Sequence, residues 1–143
     1  MTVRIQKKDF DFAEELDSLA DKKLNSGSYV SFLGTVRKKN QGLNVKSLKI
    51  EYYPLMTEKQ LRSIENKANE MWPINSSLII HRFGKMYPGE NIVLVITTST
   101  FREAAFKATE FIVEELKTKA TFWKFEETSK KSYWLDPDQT RQV

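Results

Sequence analysis

The sequence predicts an α+β domain whose sheet is mostly antiparallel. Segments with apolar residues at helical spacing alternate with shorter β-branched and aromatic runs that come in pairs, as antiparallel strands do. The five glycines are scattered, and none belongs to a glycine-rich phosphate-binding loop of the kind found in nucleotide-binding α/β folds. At 143 residues the chain has the length of one domain that can bury its own core.

The first predicted element is a helix over residues 10–25. Asp9 is placed to cap its N-terminus, and the polar run 25–28 ends it. Its apolar face consists of residues at helical spacing, namely Phe12, Leu16, Leu19 and Ala20. Two strands follow, over 29–36 and 45–53. We interpret them as a hairpin whose long tip is the polar loop 38–44.

A second helix is predicted over residues 57–71, where Thr57 and Gln60 form a possible capping box and Pro73 ends the helix. Its buried stripe consists of Leu61, Ile64, Ala68 and Met71. Strands over 78–82 and 91–98 come next. They are joined by the turn region 83–90, which contains Pro88 and Gly89.

The longest predicted helix spans residues 101–118, opened by a second possible capping box of Thr100 and Glu103. Its inward face consists of Ala105, Ala108, Ile112 and Leu116, while Lys107, Glu110 and Glu114 face water. Closing strands are predicted over 122–127 and 132–135. Residues 1–135 therefore form a single domain, and residues 136–143 are predicted to be a loose tail.

Composition excludes several kinds of chemistry. The chain has no cysteine and one histidine, His81, so disulfides, cysteine-ligated zinc, iron–sulfur clusters and a persulfide on this chain are ruled out. We therefore expect no metal and no cofactor. No apolar run reaches the length of a membrane span or a signal peptide, so a cytoplasmic protein that does not bind membranes is expected.

The net charge of +4 allows either a nucleic-acid-binding domain or a local site for a small anion. Acidic residues are interspersed among the basic ones throughout the chain. This mixture favours a local anion site over a long nucleic-acid track, so we expect no nucleic-acid partner.

Four ordered segments carry a resemblance to a known family. They are Gly34-Thr35-Val36-Arg37; Glu51-Tyr52-Tyr53; Ile80-His81-Arg82-Phe83-Gly84; and Arg102-Glu103-Ala104-Ala105-Phe106, which leads to Leu116-Lys117 and Phe122-Trp123-Lys124-Phe125-Glu126. In order and spacing they resemble the large, catalytic subunit of molybdopterin synthase. The resemblance covers about residues 30 to 134.

The resemblance implies an α/β hammerhead-type domain with an additional small antiparallel sheet. It also implies a homodimer that binds one small ubiquitin-like sulfur-carrier subunit at each end, giving a heterotetramer. The Gly-Gly C-terminus of that carrier bears a thiocarboxylate, which delivers sulfur to cyclic pyranopterin monophosphate. The implied activity is that of a sulfurtransferase in molybdenum cofactor biosynthesis, which forms the dithiolene of molybdopterin.

The implied site is cationic, because both the substrate phosphate and the thiocarboxylate are anions. By resemblance, Lys117 lies beside the carrier's terminal glycine, Lys124 takes part in catalysis, Arg37 lines the pocket and Arg102 contacts the phosphate. From spacing alone, Lys117 would only complement a helix dipole and Lys124 would be a solvated strand residue. Arg102 would equally suit a surface ion pair with Glu103 or Glu110.

Phe101 occupies a position of the implied substrate-binding site where the family usually has histidine, and its side chain cannot hydrogen-bond a ligand. This difference supports an alternative reading, in which the chain is a non-catalytic homologue that binds the sulfur carrier as a scaffold. His81 is interpreted as a hydrogen-bonded structural residue. Arg82 suits either pairing in the core or lining the site.

Overall fold

The computed structural model describes residues 1–19 and 25–135. In that part of the chain it has three helices, namely α1 (Phe12–Asp17), α2 (Pro54–Met71) and α3 (Arg102–Thr118). The strands there are β1 (Thr2–Gln6), β2 (Ser28–Thr35), β3 (Lys39–Asn40), β4 (Leu43–Tyr52), β5 (Ile74–Arg82), β6 (Gly84–Met86), β7 (Asn91–Ser99), β8 (Phe122–Thr128) and β9 (Ser132–Leu135). The predicted α+β class is confirmed. The predicted tail 136–143 and residues 20–24 of the first predicted helix lie outside the described residues.

The main sheet has the strand order β1-β5-β7-β2. β1 runs parallel to β5, while β5 and β2 both run antiparallel to β7. One face of this sheet is covered by α2 and α3, through a core of Val3, Leu61, Ile64, Ala68, Ile79, Val95, Ile112 and Leu116. The other face is covered by the segment around α1, where Phe12, Leu16 and Leu19 pack as predicted against Leu78, Ile80, Leu94 and Ile96.

The second sheet is antiparallel, with the order β3-β4-β8-β9 and with β6 also paired to β4. Its own core consists of Val36, Val45, Leu48, Ile50, Met86 and Ile92. The strands predicted over 78–82 and 91–98 are present and pair antiparallel, and so do the closing strands predicted over 122–127 and 132–135. The predicted additional small antiparallel sheet is therefore present beside the main one.

The predicted hairpin of residues 29–36 with 45–53 is wrong. β2 pairs with β7 in the main sheet, whereas β4 pairs with β8 in the second sheet. The chain leaves the main sheet after Thr35, where the backbone N–H of Val36 donates to the carbonyl of Glu90. Each strand thus finds a partner far away in sequence, and local patterning carries no information about that partner.

Three strands were not predicted. β1 is short and half polar, and only Val3 and Ile5 face the core beneath α2 and α3. β3 lies in the predicted loop and β6 in the predicted turn region. Each of these strands is recognisable only from the neighbouring strand to which it pairs.

The helix starts also differ from prediction. Asp11, not Asp9, caps α1 by accepting the N–H of Glu14. α2 begins at Pro54, which suits a first helical position because its missing N–H needs no partner there. Thr57 therefore lies inside the helix and forms no capping box with Gln60. Met71, predicted to be buried, is 57% exposed at the helix end.

α3 starts at Arg102, close to the predicted residue, but without the predicted capping box. The Thr100 hydroxyl donates to the carbonyl of Asn25, and Glu103 pairs with Lys107 at 2.9 Å. The inward face is confirmed, because Ala105, Ala108, Ile112 and Leu116 are all buried. The residues predicted to face water, Lys107, Glu110 and Glu114, are exposed.

Arg82 is a buried core residue rather than part of the pocket described below. Its guanidinium donates to the carbonyls of Lys7 and Asn91 at 2.9–3.2 Å, and the carboxylates of Glu90 and Asp9 lie 3.5 and 3.8 Å away. It thereby joins the segment after β1 to the start of β7. This network settles the choice for Arg82 in favour of pairing in the core.

We expect Arg82→Met to lower the free energy of unfolding by about 2–4 kcal/mol, because it leaves partly buried carbonyls and nearby carboxylates without their donor. Urea denaturation measures this loss. The matched control is Arg62→Met, which breaks an exposed pair with Glu58 at 3.0 Å and should cost less than about 0.5 kcal/mol. Equal losses in the two variants would contradict the structural role of Arg82.

Candidate active site

A pocket of about 170 Å³ opens where the C-terminal end of α3 and strand β8 meet the ends of β2, β5 and β7. Most of its wall is apolar. It is lined by Phe32, Gly34, His81, Ile92, Val93, Val113, Leu116, Lys117, Ala120, Phe122, Lys124 and Leu135. The polar side chains in this wall are His81, Lys117 and Lys124.

Lys117 and Lys124 come from two consecutive elements. Lys117 lies in the last turn of α3, and Lys124 lies in β8. The linker between them is held by α2, where the Thr57 hydroxyl donates to the carbonyl of Thr121 at 2.9 Å. The Gln60 side-chain oxygen accepts the N–H of the same residue at 2.7 Å. The two residues predicted to cap α2 therefore fix the linker that joins the two lysines.

The pocket concentrates positive charge. Burial, followed by the nearby cations Lys117 and Arg37, lowers the pKa of Lys124 from 10.5 to about 8. Within residues 1–19 and 25–135, no carboxylate forms an ion pair with Lys117 or Lys124. Lys124 remains mostly protonated at pH 7 because its pKa lies above that pH. In the described part of the chain the two amines are thus close together without a directly paired carboxylate, which suits the pocket to an anion.

A smaller cavity of about 120 Å³ adjoins the first one and shares Lys124 with it. Its wall includes Arg37 and the buried carboxylate of Glu126. Asn40 donates to both Glu126 oxygens at 3.0 and 3.1 Å, and the Tyr133 hydroxyl donates to one of them at 2.9 Å. Arg37 donates to the Asn40 side-chain oxygen at 3.4 Å. The structure therefore places Arg37 in the wall of the smaller cavity with Lys124, next to the pocket that Lys124 shares with Lys117.

His81 contributes to the pocket wall in a way that the sequence did not indicate. Its ring stacks on Phe122 with centroids 3.7 Å apart and an interplanar angle of 12°. Nδ1 lies 2.8 Å from the carbonyl oxygen of Arg82, which is the predicted structural hydrogen bond. Burial and the Lys124 cation lower the pKa of His81 to about 3, so the ring is neutral at pH 7. Because Nδ1 donates to a carbonyl, Nε2 carries the lone pair.

Arg102 and Phe101 lie at the opposite end of α3 from Lys117. Both are exposed, Phe101 to 63%. The fifteen-residue separation between Arg102 and Lys117 corresponds to about 22 Å along the helix axis. Within the described residues, Arg102 forms no ion pair with Glu103 or Glu110. A single chain therefore does not bring Arg102 and Phe101 to the lysine pocket.

Two further properties concern metal binding and membrane-spanning helices. In the described part of the chain, no group of three or more histidine, aspartate or glutamate side chains is arranged to hold a metal ion. None of the described helices is both long enough and apolar enough to span a membrane.

Comparisons with known proteins agree with one another. The family model described as MoaE protein matches residues 5–119. The molybdopterin synthase catalytic subunit of Vibrio cholerae is 48% identical over 134 residues, covering 94% of this chain and 89% of the relative. The subunit of the same name from Escherichia coli is 41% identical over 133 residues, covering 93% and 88%.

Solved structures show the same fold. The molybdopterin biosynthesis MoaE protein from Burkholderia ambifaria superposes with a TM-score of 0.81 at 39% identity, covering 95% of this chain and 89% of that one. Molybdopterin synthase from Staphylococcus aureus superposes with a TM-score of 0.79 at 29% identity, covering 92% and 94%. The sheets and helices described above therefore have counterparts in these proteins.

Proposed function

Because the chain belongs to the MoaE protein family, we propose that it is the catalytic subunit of a molybdopterin synthase. In this role it transfers sulfur from the thiocarboxylated C-terminus of a small ubiquitin-like carrier subunit to cyclic pyranopterin monophosphate. The product is the dithiolene of molybdopterin. The observation that carries the proposal is the pocket that Lys117 and Lys124 line together, where neither amine is ion-paired with a carboxylate of residues 1–19 or 25–135.

The chemistry divides between the two proteins. The nucleophile is the thiocarboxylate sulfur, which arrives with the carrier, so a chain without cysteine needs only to position and activate it. The sulfur forms a C–S bond with a carbon of the pterin side chain as the C–O bond at that carbon breaks, and the departing oxygen takes up a proton. Water then cleaves the acyl–S bond, which leaves a carboxylate on the carrier and a thiol on the pterin. A second carrier supplies the other sulfur of the dithiolene in the same way. Lys117 holds the anionic tail. Lys124, as an ammonium with a lowered pKa, stabilises developing negative charge and supplies a proton.

The shape of the pocket supports this assignment. Gly34 lines it, and a Cβ at that position would lie 2.7 Å from Cγ1 of Val93, so the wall there has no room for a larger residue. A largely apolar pocket of about 170 Å³ favours a chain end that has no side chains. The Gly-Gly terminus of the proposed carrier meets this requirement.

The position of Arg102 implies a second copy of the chain. Since about 22 Å of helix separates it from Lys117, an Arg102 that contacts the substrate phosphate must come from the partner in a homodimer. Phe101 would enter the same shared site from that partner. We therefore propose a homodimer within a heterotetramer, in which each substrate site uses Arg37, Lys117 and Lys124 of one chain and Arg102 of the other.

The scaffold alternative rests on Phe101 alone. Phenylalanine removes one polar group from the implied site, but it leaves Lys117, Lys124 and Arg37 in place. A protein that only held the carrier could use the Lys124 cation to bind the anionic tail, but it would not need a pKa lowered toward neutrality, which suits a group that supplies a proton. The geometry therefore favours the enzyme over the scaffold.

We expect the purified chain to form the dithiolene when it is mixed with thiocarboxylated carrier and cyclic pyranopterin monophosphate. Lys117→Ala should lower the rate of this reaction at least about 100-fold, because it removes a cation that holds the tail. The control is Lys119→Ala, which alters an exposed lysine just beyond α3. Mass spectrometry of the pterin product measures turnover. Carrier binding without any turnover by the wild-type chain would support the scaffold alternative instead.

A further inference from the structure

His81 is a pocket residue that the chemistry described so far does not use. Of the three polar side chains in the pocket wall, the Lys117 and Lys124 ammonium groups can only donate hydrogen bonds. His81 differs because Nδ1 already donates to the Arg82 carbonyl, which leaves Nε2 as an acceptor. His81 is thus the one side chain of the described pocket wall that offers a hydrogen-bond acceptor.

This acceptor is held in a fixed orientation. The bond from Nδ1 at 2.8 Å and the stack on Phe122 at 3.7 Å prevent the ring from rotating. Within the described residues Nε2 has no hydrogen-bond partner. Nε2 is also not a fully buried atom, and the His81 side chain lines the cavity, so the lone pair can be reached from the cavity. A rigid ring with an accessible lone pair is suited to receive a donor from a ligand.

The proposed occupant brings such a donor. A peptide tail that enters an apolar pocket loses water from its backbone N–H groups, and leaving one unpaired costs about 1–3 kcal/mol. In a terminal glycine the N–H is separated from the thiocarboxyl carbon by a single Cα. A thiocarboxylate held at Lys117 and Lys124 therefore carries its last N–H into the part of the pocket where His81 and Phe122 form the wall.

We propose that Nε2 of His81 accepts a hydrogen bond from the last peptide N–H of the carrier tail and so orients the thiocarboxylate toward the two lysines. This inference rests on the proposed function, because it requires the tail to occupy this pocket. It assigns His81 a role in binding the tail rather than in the chemical step.

The test is a double-mutant cycle between the protein and the tail. Two forms of the carrier are made by peptide ligation, one ending in Gly-Gly and one in Gly-sarcosine, whose N-methyl group removes the last N–H. His81→Asn keeps a donor near the Nδ1 position for the Arg82 carbonyl but places no acceptor near Nε2. His81→Gln places an oxygen near the Nε2 position. Calorimetry measures the Kd of each pair, and thermal unfolding confirms that each variant is folded.

We expect the sarcosine tail to bind the wild-type chain about tenfold more weakly than the Gly-Gly tail, and His81→Asn to bind both tails with similar, weakened affinity. His81→Gln should recover part of the preference for Gly-Gly. An equal cost of N-methylation in wild type and His81→Asn would overturn the inference, because the N–H would then be bonded elsewhere. The inference would also be overturned if N-methylation of the tail did not change its Kd for the wild-type chain. If the wild-type chain binds neither carrier, the proposed function fails as well.

Discussion

Replacing Lys124 with methionine is expected to reduce kcat/KM at least about 100-fold while increasing the stability of the folded chain at pH 7. The lowered pKa of Lys124 means that the folded protein holds an ammonium group in surroundings that disfavour the charge. Methionine has a similar length and no charge, so it removes this cost. A gain of roughly 1–3 kcal/mol in the free energy of unfolding is expected from the size of the shift.

The dependence of stability on pH follows from the same shift. The pKa of Lys124 is about 8 in the folded chain, whereas the ordinary value is 10.5, so the unfolded chain binds more protons between these two pH values. The stability of the wild-type chain should therefore rise, relative to Lys124→Met, as the pH increases from about 8 to 10.5. Below about pH 8 the difference in the free energy of unfolding between the wild type and Lys124→Met is largest. Urea denaturation across this range measures it, with Lys119→Met as the control for loss of an exposed lysine.

Activity should decrease with rising pH, whereas the stability of the wild-type chain should increase. In the proposed mechanism the ammonium form of Lys124 binds the anion and supplies the proton, so kcat/KM should fall as the pH rises through about 8. Lys124→Arg retains the charge at every accessible pH, so its kcat/KM should not decline in this range, although it should be lower than that of the wild type. A wild-type kcat/KM that instead increases through pH 8 would show that the neutral amine is the active form.

Two inactive variants are expected to restore activity when their subunits are mixed. If each site combines Lys117 of one chain with Arg102 of the other, a heterodimer of Lys117→Ala and Arg102→Ala chains has one intact site and one doubly altered site. Free exchange of equal amounts gives half heterodimers, so about one quarter of wild-type activity should return. The measurement is dithiolene formation after the two purified variants are unfolded together and refolded.

The matched control is a mixture of Lys117→Ala and Lys124→Ala. These lysines line the same pocket of the same chain, so every dimer in this mixture has an altered residue in both sites. It should stay inactive. If the Lys117→Ala and Arg102→Ala mixture is also inactive while heterodimers are shown to form, Arg102 acts outside the substrate site.

Much of the fold could be predicted because it depends on local periodicity. The apolar stripes of α2 and α3 follow from helical spacing, and the inward residues Ala105 and Ile112 are buried as expected. The hairpin between β2 and β4 was wrong because strand pairing depends on distant partners. β1 could not be recognised because it is short and half polar, and its place is set by β5.

The candidate site was predictable in part. The family resemblance, rather than the spacing, singled out Lys117 and Lys124, and the structure brings both residues to one pocket. The predicted helix 101–118 already places Arg102 and Lys117 at opposite ends, but the sequence does not indicate that Arg102 would have to come from a second chain to reach the lysines. The acceptor on His81 was also hidden, because it depends on which ring nitrogen bonds the Arg82 carbonyl.

The hydrogen bonds between α2 and Thr121 have a consequence for engineering. Because the Thr57 hydroxyl donates to the Thr121 carbonyl and the Gln60 side-chain oxygen accepts the Thr121 N–H, the spacing of Lys117 and Lys124 is set by how α2 packs, rather than by the flexibility of the connecting segment. Inserting a residue into that segment would therefore be an ineffective way to retune the enzyme for a bulkier donor. Substitutions at positions 57 and 60, outside the pocket, are the more direct means of adjusting it.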